Sequence, residues 1–392
     1  MTTDRIYLDH AATTPIDRTV ATAITQVLAH IPGNPSSLYR EGRAARDVLD
    51  RARAKVATTL VVDPNEIVFT SSGSEGATLA IRGAAFAAAQ AGRRHLVTTA
   101  IEHHAVLHTV QHLVQRHSFE ATIVGVDQEG RVDPSSVIDA VRDDTAIVSV
   151  MYANNEIGSI QPIARIAAEL RDHPALFHSD AVQGPGHLPI AIPILGVDLL
   201  SLAAHKFYGP KGIGALYIRD GTRLSPQIVG GTQERGRRAG TENVAFAEGM
   251  AVALHQAESS RTHDTAHNLA LRDALIKGIT SIAGSRLNGP MADRLPNNVN
   301  VVFEGVDSEA LLLALDSAGV SASSGSACTS ASLEPSHVLH AIGLKPDLAA
   351  SSLRLTTGRE NTASQISRTI EILHDLVPHL RGTAMEKPGQ VT

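Results

Sequence analysis

LFHSDAVQGPGHLPIAIPILGVDLLSLAAHKFYGPKGIGALYI, residues 176–218, contains three short apolar runs, at 176–180, 199–203 and 213–218. Each has the length of a strand and is bounded by Gly, Pro or a charged residue. Comparable runs precede them at 66–70, 95–100, 122–126 and 146–152, and amphipathic stretches such as 105–117 and 162–171 lie between. Seven strands alternating with helices predict an α/β fold, a mostly parallel sheet covered by helices on both faces. Ligands of such sheets gather just beyond the carboxyl ends of the strands, so the chemistry is expected there.

After Asn243 the pattern changes: helical periodicity runs to about Ala283, then a strand at 299–303, a helix at 308–317, a strand-like run at 353–357 and a last helix at 363–380. This predicts a large domain over 15–258. A smaller α+β domain would take 1–14 together with 259–381, and residues 382–392 would form a disordered tail. Two domains also suit 392 residues, more than one hydrophobic core usually serves. Hydrophobic residues at 43% and charged residues at 19% are ordinary for a globular chain, and a net charge of −6 argues against direct nucleic-acid binding. No apolar run reaches the roughly 18 residues of a membrane span, and MTTDRIYLDH has no signal-peptide pattern, so a cytoplasmic protein is expected. One cysteine, Cys328, forbids an internal disulfide and cannot supply a thiolate-held metal cluster.

Lys206 follows the apolar run 199–203 and precedes a Gly/Pro-rich turn. At the ligand edge of a sheet, desolvation would make it a Schiff-base nucleophile; alternatively it is a solvated loop lysine. Asp180 ends another strand, where a carboxylate can keep a pyridinium nitrogen protonated, although an N-cap explains it equally well. Gln183, three residues on, could bind a ring hydroxyl. Gly73 and Ser74 lie between a strand and a helix, a natural phosphate site. His103, at a further strand–helix junction, could stack on a flat ring and relay protons; its neighbour His104 is poorly placed for joint metal ligation, so no metal is expected. Asn155, in YANNEIG, offers an amide to a ring oxygen or a substrate carboxylate. Arg354, in SSLRLTTGREN, offers a planar fork to a carboxylate, or else makes a surface salt bridge. A lone cysteine is usually a small core residue. Residues 321–332 around Cys328 are Ser, Ala, Gly and Thr, which suits a loop carrying a thiol that travels.

Taken in order, YLDHAATTP from Tyr7, GNPSS, NNEIG, HSDAVQ, HK-x-YGPKG, RRAGTEN, SACTSASLEPSHVL and SSLRLTTGREN resemble the cysteine desulfurases of the group serving iron–sulfur cluster assembly, a branch of the fold type I pyridoxal 5′-phosphate (PLP) enzymes. The resemblance implies a homodimer acting on L-cysteine, with Cys328 taking the sulfur as a persulfide for an acceptor protein such as an iron–sulfur scaffold. It further implies that Lys206 is the Schiff-base lysine, that His103 stacks on the cofactor ring, and that Asp180 pairs with its nitrogen. Gln183 and Asn155 would address the ring hydroxyl. Ser74 and His205 would bind the phosphate, joined by Thr241 of the partner subunit. Arg354, with Asn34 and Asn155, would hold the substrate carboxylate. A selenocysteine lyase or another class V PLP enzyme is the alternative. Three departures stand out: Ala203 where the family has a phosphate-binding serine, Gly76–Ala77–Thr78 in place of polar residues, and Tyr39 in place of a histidine.

Overall fold

The computed structural model describes residues 5–324 and 336–385. After a two-residue strand β1 (Ile6–Tyr7) come β2 (Ile67–Thr70), β3 (His95–Thr99), β4 (Glu120–Val124), β5 (Thr145–Ser149), β6 (Leu176–Asp180), β7 (Leu199–Ala203) and β8 (Gly214–Ile218). The last seven form one sheet in the order β2-β8-β7-β6-β5-β3-β4, in which only β8 runs antiparallel to its neighbours. The expected seven-stranded, mostly parallel sheet is therefore present. Its strands β2, β3, β5, β7 and β8 are buried at every position, as a sheet covered on both faces requires.

Alternate side chains of each strand feed opposite layers. Val97, Val148, Leu200 and Leu202 share one core with Val48, Leu49, Ala52 and Val56 of the helix Arg40–Leu60. Leu96, Ile147, Leu199 and Leu216 meet the helices Gly73–Ala89 and His104–His117 through Leu79, Ala80, Val106 and Val110. A second sheet holds β9 (Ser285–Leu287), β10 (Asn298–Phe303) and, past the short β11 (Val320–Ser321), β12 (Ser352–Thr356), in antiparallel order β12-β10-β9. β1 pairs with β11, and Ile6 and Leu8 join a core with Leu275, Ile279, Leu311, Leu353 and Leu373. The N-terminal segment thus packs with the C-terminal part of the chain. The helix Val244–Thr280 runs unbroken through position 258, giving Met250 and Leu254 to the first core and Leu271 and Leu275 to the second.

Two expectations need correction. β4 begins at Glu120, two residues before the apolar run that suggested it, because Glu120 pairs with His95 on β3 and the strand lies at the sheet's edge, with Ile123 exposed. The C-terminal helix, Ala363–Met385, continues past Gly382 where disorder was expected. Arg381 donates to the carbonyls of Glu304 and Ala283 and fastens the last turn to the second sheet. Residues 386–392 lie outside the described residues. Among the described residues, no helix is long and apolar enough to cross a membrane.

Candidate active site

β7 ends at Ala203, and a single tight turn, Ala204–Lys206, places His205 and Lys206 just beyond the sheet. The turn closes through Gly209 N–H to Ala204 O at 2.9 Å, and a Cβ on Gly209 would lie 2.8 Å from that carbonyl oxygen, which explains the glycine. Lys206 Nζ donates to the main-chain carbonyls of Ala11 at 2.6 Å and Ala12 at 2.7 Å. His205 Nδ1 lies 3.2 Å from Thr13 Oγ1, and burial, with Lys206 and Lys211 adding to it, pushes its pKa down to about 4.

Asp180 ends β6, buried. Burial pushes its carboxyl up to about 6, against the opposing pull of the Val182 N–H, 3.0 Å from Oδ1, and of Lys206. Gln183 Nε2 donates to Ala11 O at 3.1 Å. His103 caps the helix His104–His117: its Nδ1 accepts from Ala105 N–H at 3.0 Å, which leaves the proton of the neutral ring on Nε2. Burial, then Lys206 and the neighbouring histidines, push its pKa down to about 4, so the ring is neutral at pH 7.

Beyond β2, Ser72 caps the helix Gly73–Ala89 by accepting from Glu75 N–H at 3.1 Å. The N–H groups of Gly73 and Ser74, at the positive end of this helix, are left for a ligand. A Cβ on Gly73 would come within 2.8 Å of Val182 Cγ2 and 3.3 Å of Ala203 Cβ, so any other residue would push against the ends of the neighbouring strands. Asn154 Oδ1 accepts from the N–H groups of Glu156 at 2.8 Å and Ile157 at 2.9 Å, and this turn fixes Asn155 at the cavity wall. From the second sheet comes Arg354 on β12, 1% exposed. Its Nη2 pairs with Asp9 Oδ1 at 2.8 Å and its Nη1 donates to Asn155 O at 3.1 Å, while its Nε has no hydrogen-bond partner among the described residues.

Gly73, Ser74, His103, Asn155, Asp180, Gln183, His205, Lys206 and Arg354 all line one cavity of about 380 Å³. Larger hollows of about 510 and 490 Å³ lie elsewhere, but neither touches the carboxyl ends of β6 and β7. Chemistry, not size, selects the site. Asn34 and Thr241 are exposed and do not border the cavity, and Cys328 lies outside the described residues. Asp9, Ala11 and Ala12, all within YLDHAATTP, carry no signal in their residue types for the roles they have here. Glu102 is likewise unmarked in sequence: it is fully buried, and burial pushes its carboxyl up to about 8, while Thr99 Oγ1 and Met151 N–H, donating to it, lower it and nearby Asp180 raises it.

This donor set fits a flat ligand with an anionic group at the Gly73–Ser74 helix start and a basic ring nitrogen beside Asp180. Ala203, 2% exposed at the end of β7, brings no hydroxyl to the anionic end. The chain belongs to the aminotransferase class-V family, whose pattern matches residues 6–369, and enzymes of this family depend on PLP. Within it, the chain is 46% identical over 385 residues to the cysteine desulfurase IscS of Methanosarcina thermophila, covering 98% of this chain and 95% of the relative. The solved structure of a NifS-like protein superposes with a TM-score of 0.90 at 34% identity, over 96% of this chain and 100% of that one. SspA, solved in complex with cysteine, superposes with a TM-score of 0.79 at 34% identity, over 91% of this chain and 100% of that one.

Proposed function

We propose that this chain is a cysteine desulfurase, moving sulfur from L-cysteine to Cys328 and releasing L-alanine. The observation carrying the reading is the convergence of Lys206, Asp180, His103 and Arg354 on one cavity in a class-V aminotransferase fold. PLP, when bound, supplies an electron sink for charge developing at the substrate Cα. Lys206 would hold the cofactor covalently and, once released, take the Cα proton. Asp180 would hold the ring nitrogen and Gln183 and Asn155 the ring hydroxyl. Gly73, Ser74 and His205 would hold the phosphate, with Thr241 of the partner subunit.

Arg354 would clamp the substrate carboxylate, aided by Asn34 and Asn155, with Asp9 orienting the guanidinium. His103, neutral at pH 7, would stack on the ring and pass protons through Nε2. The Cys328 thiolate would then attack the substrate sulfur. The new S–S bond forms as the C–S bond breaks, its electrons pass to the substrate carbon, and protonation there yields alanine. A homodimer in the cytoplasm, handing its persulfide to an iron–sulfur scaffold or another thiolation partner, completes the reading. So does a division into a large domain at 15–258 and a small one at 1–14 plus 259–381. Incubation with cysteine should yield alanine and, with reductant, sulfide in equal amounts; aminotransferase products in their place would contradict it.

Two further outcomes follow from the site. Ala203→Ser should restore a donor to the phosphate, about one hydrogen bond to a charged group or roughly 1.5–3 kcal/mol at best. PLP retention on dialysis should rise accordingly, and unchanged retention would mean that another group already fills the place. Asp180, at about 6 in the fold, is raised above its unfolded value. Its own contribution to the stability of the cofactor-free protein is therefore full below about pH 4 and lost as pH rises through about 6. Cofactor binding has the opposite sign, because a ring cation needs the carboxylate. Retention should fall up to about tenfold per pH unit below about 6, and Asp180→Asn should flatten that slope. The same slope in the Asn variant would place the titration elsewhere.

A further inference from the structure

Thr241 sits at the end of a segment, residues 232–241, that contributes no side chain to the cavity of its own chain. Within it, Glu234 and Arg235 both adopt left-handed backbone conformations, with φ of 47° and 57°. Two consecutive non-glycine residues persist in this region only where the surroundings over-determine them.

The restraint comes from the buried Glu234 carboxylate. Oε2 accepts from Arg53 Nη1 at 2.7 Å and from Phe69 N–H at 3.0 Å, and Oε1 accepts from Arg53 Nη2 at 2.8 Å. Arg53 lies over the Phe69 ring, 5.0 Å from its centroid, and Nη1 also reaches Ile67 O at 2.8 Å. The segment is thereby sewn to β2, the strand that leads into the Gly73–Ser74 cradle. Further along, it is fastened to the helix Gly73–Ala89, since Arg238 Nε meets Glu75 Oε1 at 2.9 Å. Outside the two fastenings, Gly240 N–H donates to Gln233 Oε1 at 3.1 Å and ties the ends of the segment together, and Thr241 is left exposed.

We propose that the Arg53–Glu234 ion pair is a positioning device that holds residues 232–241 turned outward, so that Thr241 is presented to the phosphate end of the partner subunit's cavity. The proposal rests on the homodimer reading above. Arg53 and Glu234 do not line the cavity; they act through Thr241.

The test uses the full chain. In cofactor-free protein, Glu234→Gln should quicken tryptic cleavage at Arg235, Arg237 and Arg238 by about tenfold or more, with circular dichroism unchanged, because local opening of the segment becomes easier. Thr241→Val should weaken PLP retention without quickening cleavage. Hybrid dimers of Lys206→Ala and Glu234→Gln subunits pair an intact cavity with an intact segment from the partner, and should retain one PLP per dimer where the Glu234→Gln homodimer loses it. Arg53→Lys, which keeps a charge but not the fork, serves as the milder variant if Glu234→Gln does not fold. Hybrids that retain no PLP, in a chain that sediments as a dimer, would overturn the proposal alone. A wild-type chain that sediments as a monomer would overturn the dimer reading and the proposal with it.

Discussion

Cys328→Ser should give a folded, yellow protein that binds cysteine and releases almost no alanine or sulfide. The cavity residues Lys206, Asp180, His103 and Arg354 are untouched by the change, so the cofactor and the spectral response to cysteine should persist. The step lost is nucleophilic attack on the substrate sulfur. An unactivated serine hydroxyl stays protonated near neutrality, whereas a few per cent or more of a thiol is already thiolate, and sulfur is the better nucleophile toward sulfur. Turnover should drop by a factor on the order of a thousand or more. Alanine release at near the wild-type rate would mean that another thiol, such as that of free cysteine in solution, takes the sulfur without Cys328.

Lys206→Ala should be as severe by another route. It removes the amine that holds the cofactor and the group that moves the Cα proton, a general acid–base contribution of about 10²–10⁴ in rate on its own. The variant should lose the yellow colour of the covalently held cofactor, and borohydride should fix no adduct to the chain. It also removes the two hydrogen bonds to the carbonyls of Ala11 and Ala12, so some loss could come from a loosened N-terminal turn. Lys206→Arg keeps a cation for those carbonyls without a Schiff-base amine. Loss of activity in both variants, with similar melting temperatures for Lys206→Arg and wild type, would assign the effect to chemistry. A borohydride-stable adduct in Lys206→Ala would mean that another lysine does the work.

The main sheet was legible because its strands are short apolar runs separated by helical periodicity, and β6 and β7 fall at the predicted residues. Edges were less legible. β4 is half-exposed, and its ends are set by pairing with β3, a tertiary fact that its own residues do not encode. The cavity was legible wherever a residue stands at the carboxyl end of a strand, as Asp180, Lys206, Gly73 and His103 do. What escaped was long-range. Asp9 meets Arg354 across 345 positions of chain, and Ala11 and Ala12 act through main-chain carbonyls, which no residue type announces. Glu102 reads as an ordinary acidic residue until burial pushes its carboxyl up to about 8. The left-handed pair Glu234–Arg235 is likewise invisible in sequence, since neither residue type favours that conformation.

The most direct test of sulfur transfer is mass spectrometry of the tryptic peptide spanning 295–354, which carries Cys328, after brief exposure of the wild-type enzyme to cysteine. One added sulfur, removed by reductant and absent from Cys328→Ser, is the predicted result. Continued alanine production with no added sulfur on that peptide, at the same rate in both proteins, would contradict it.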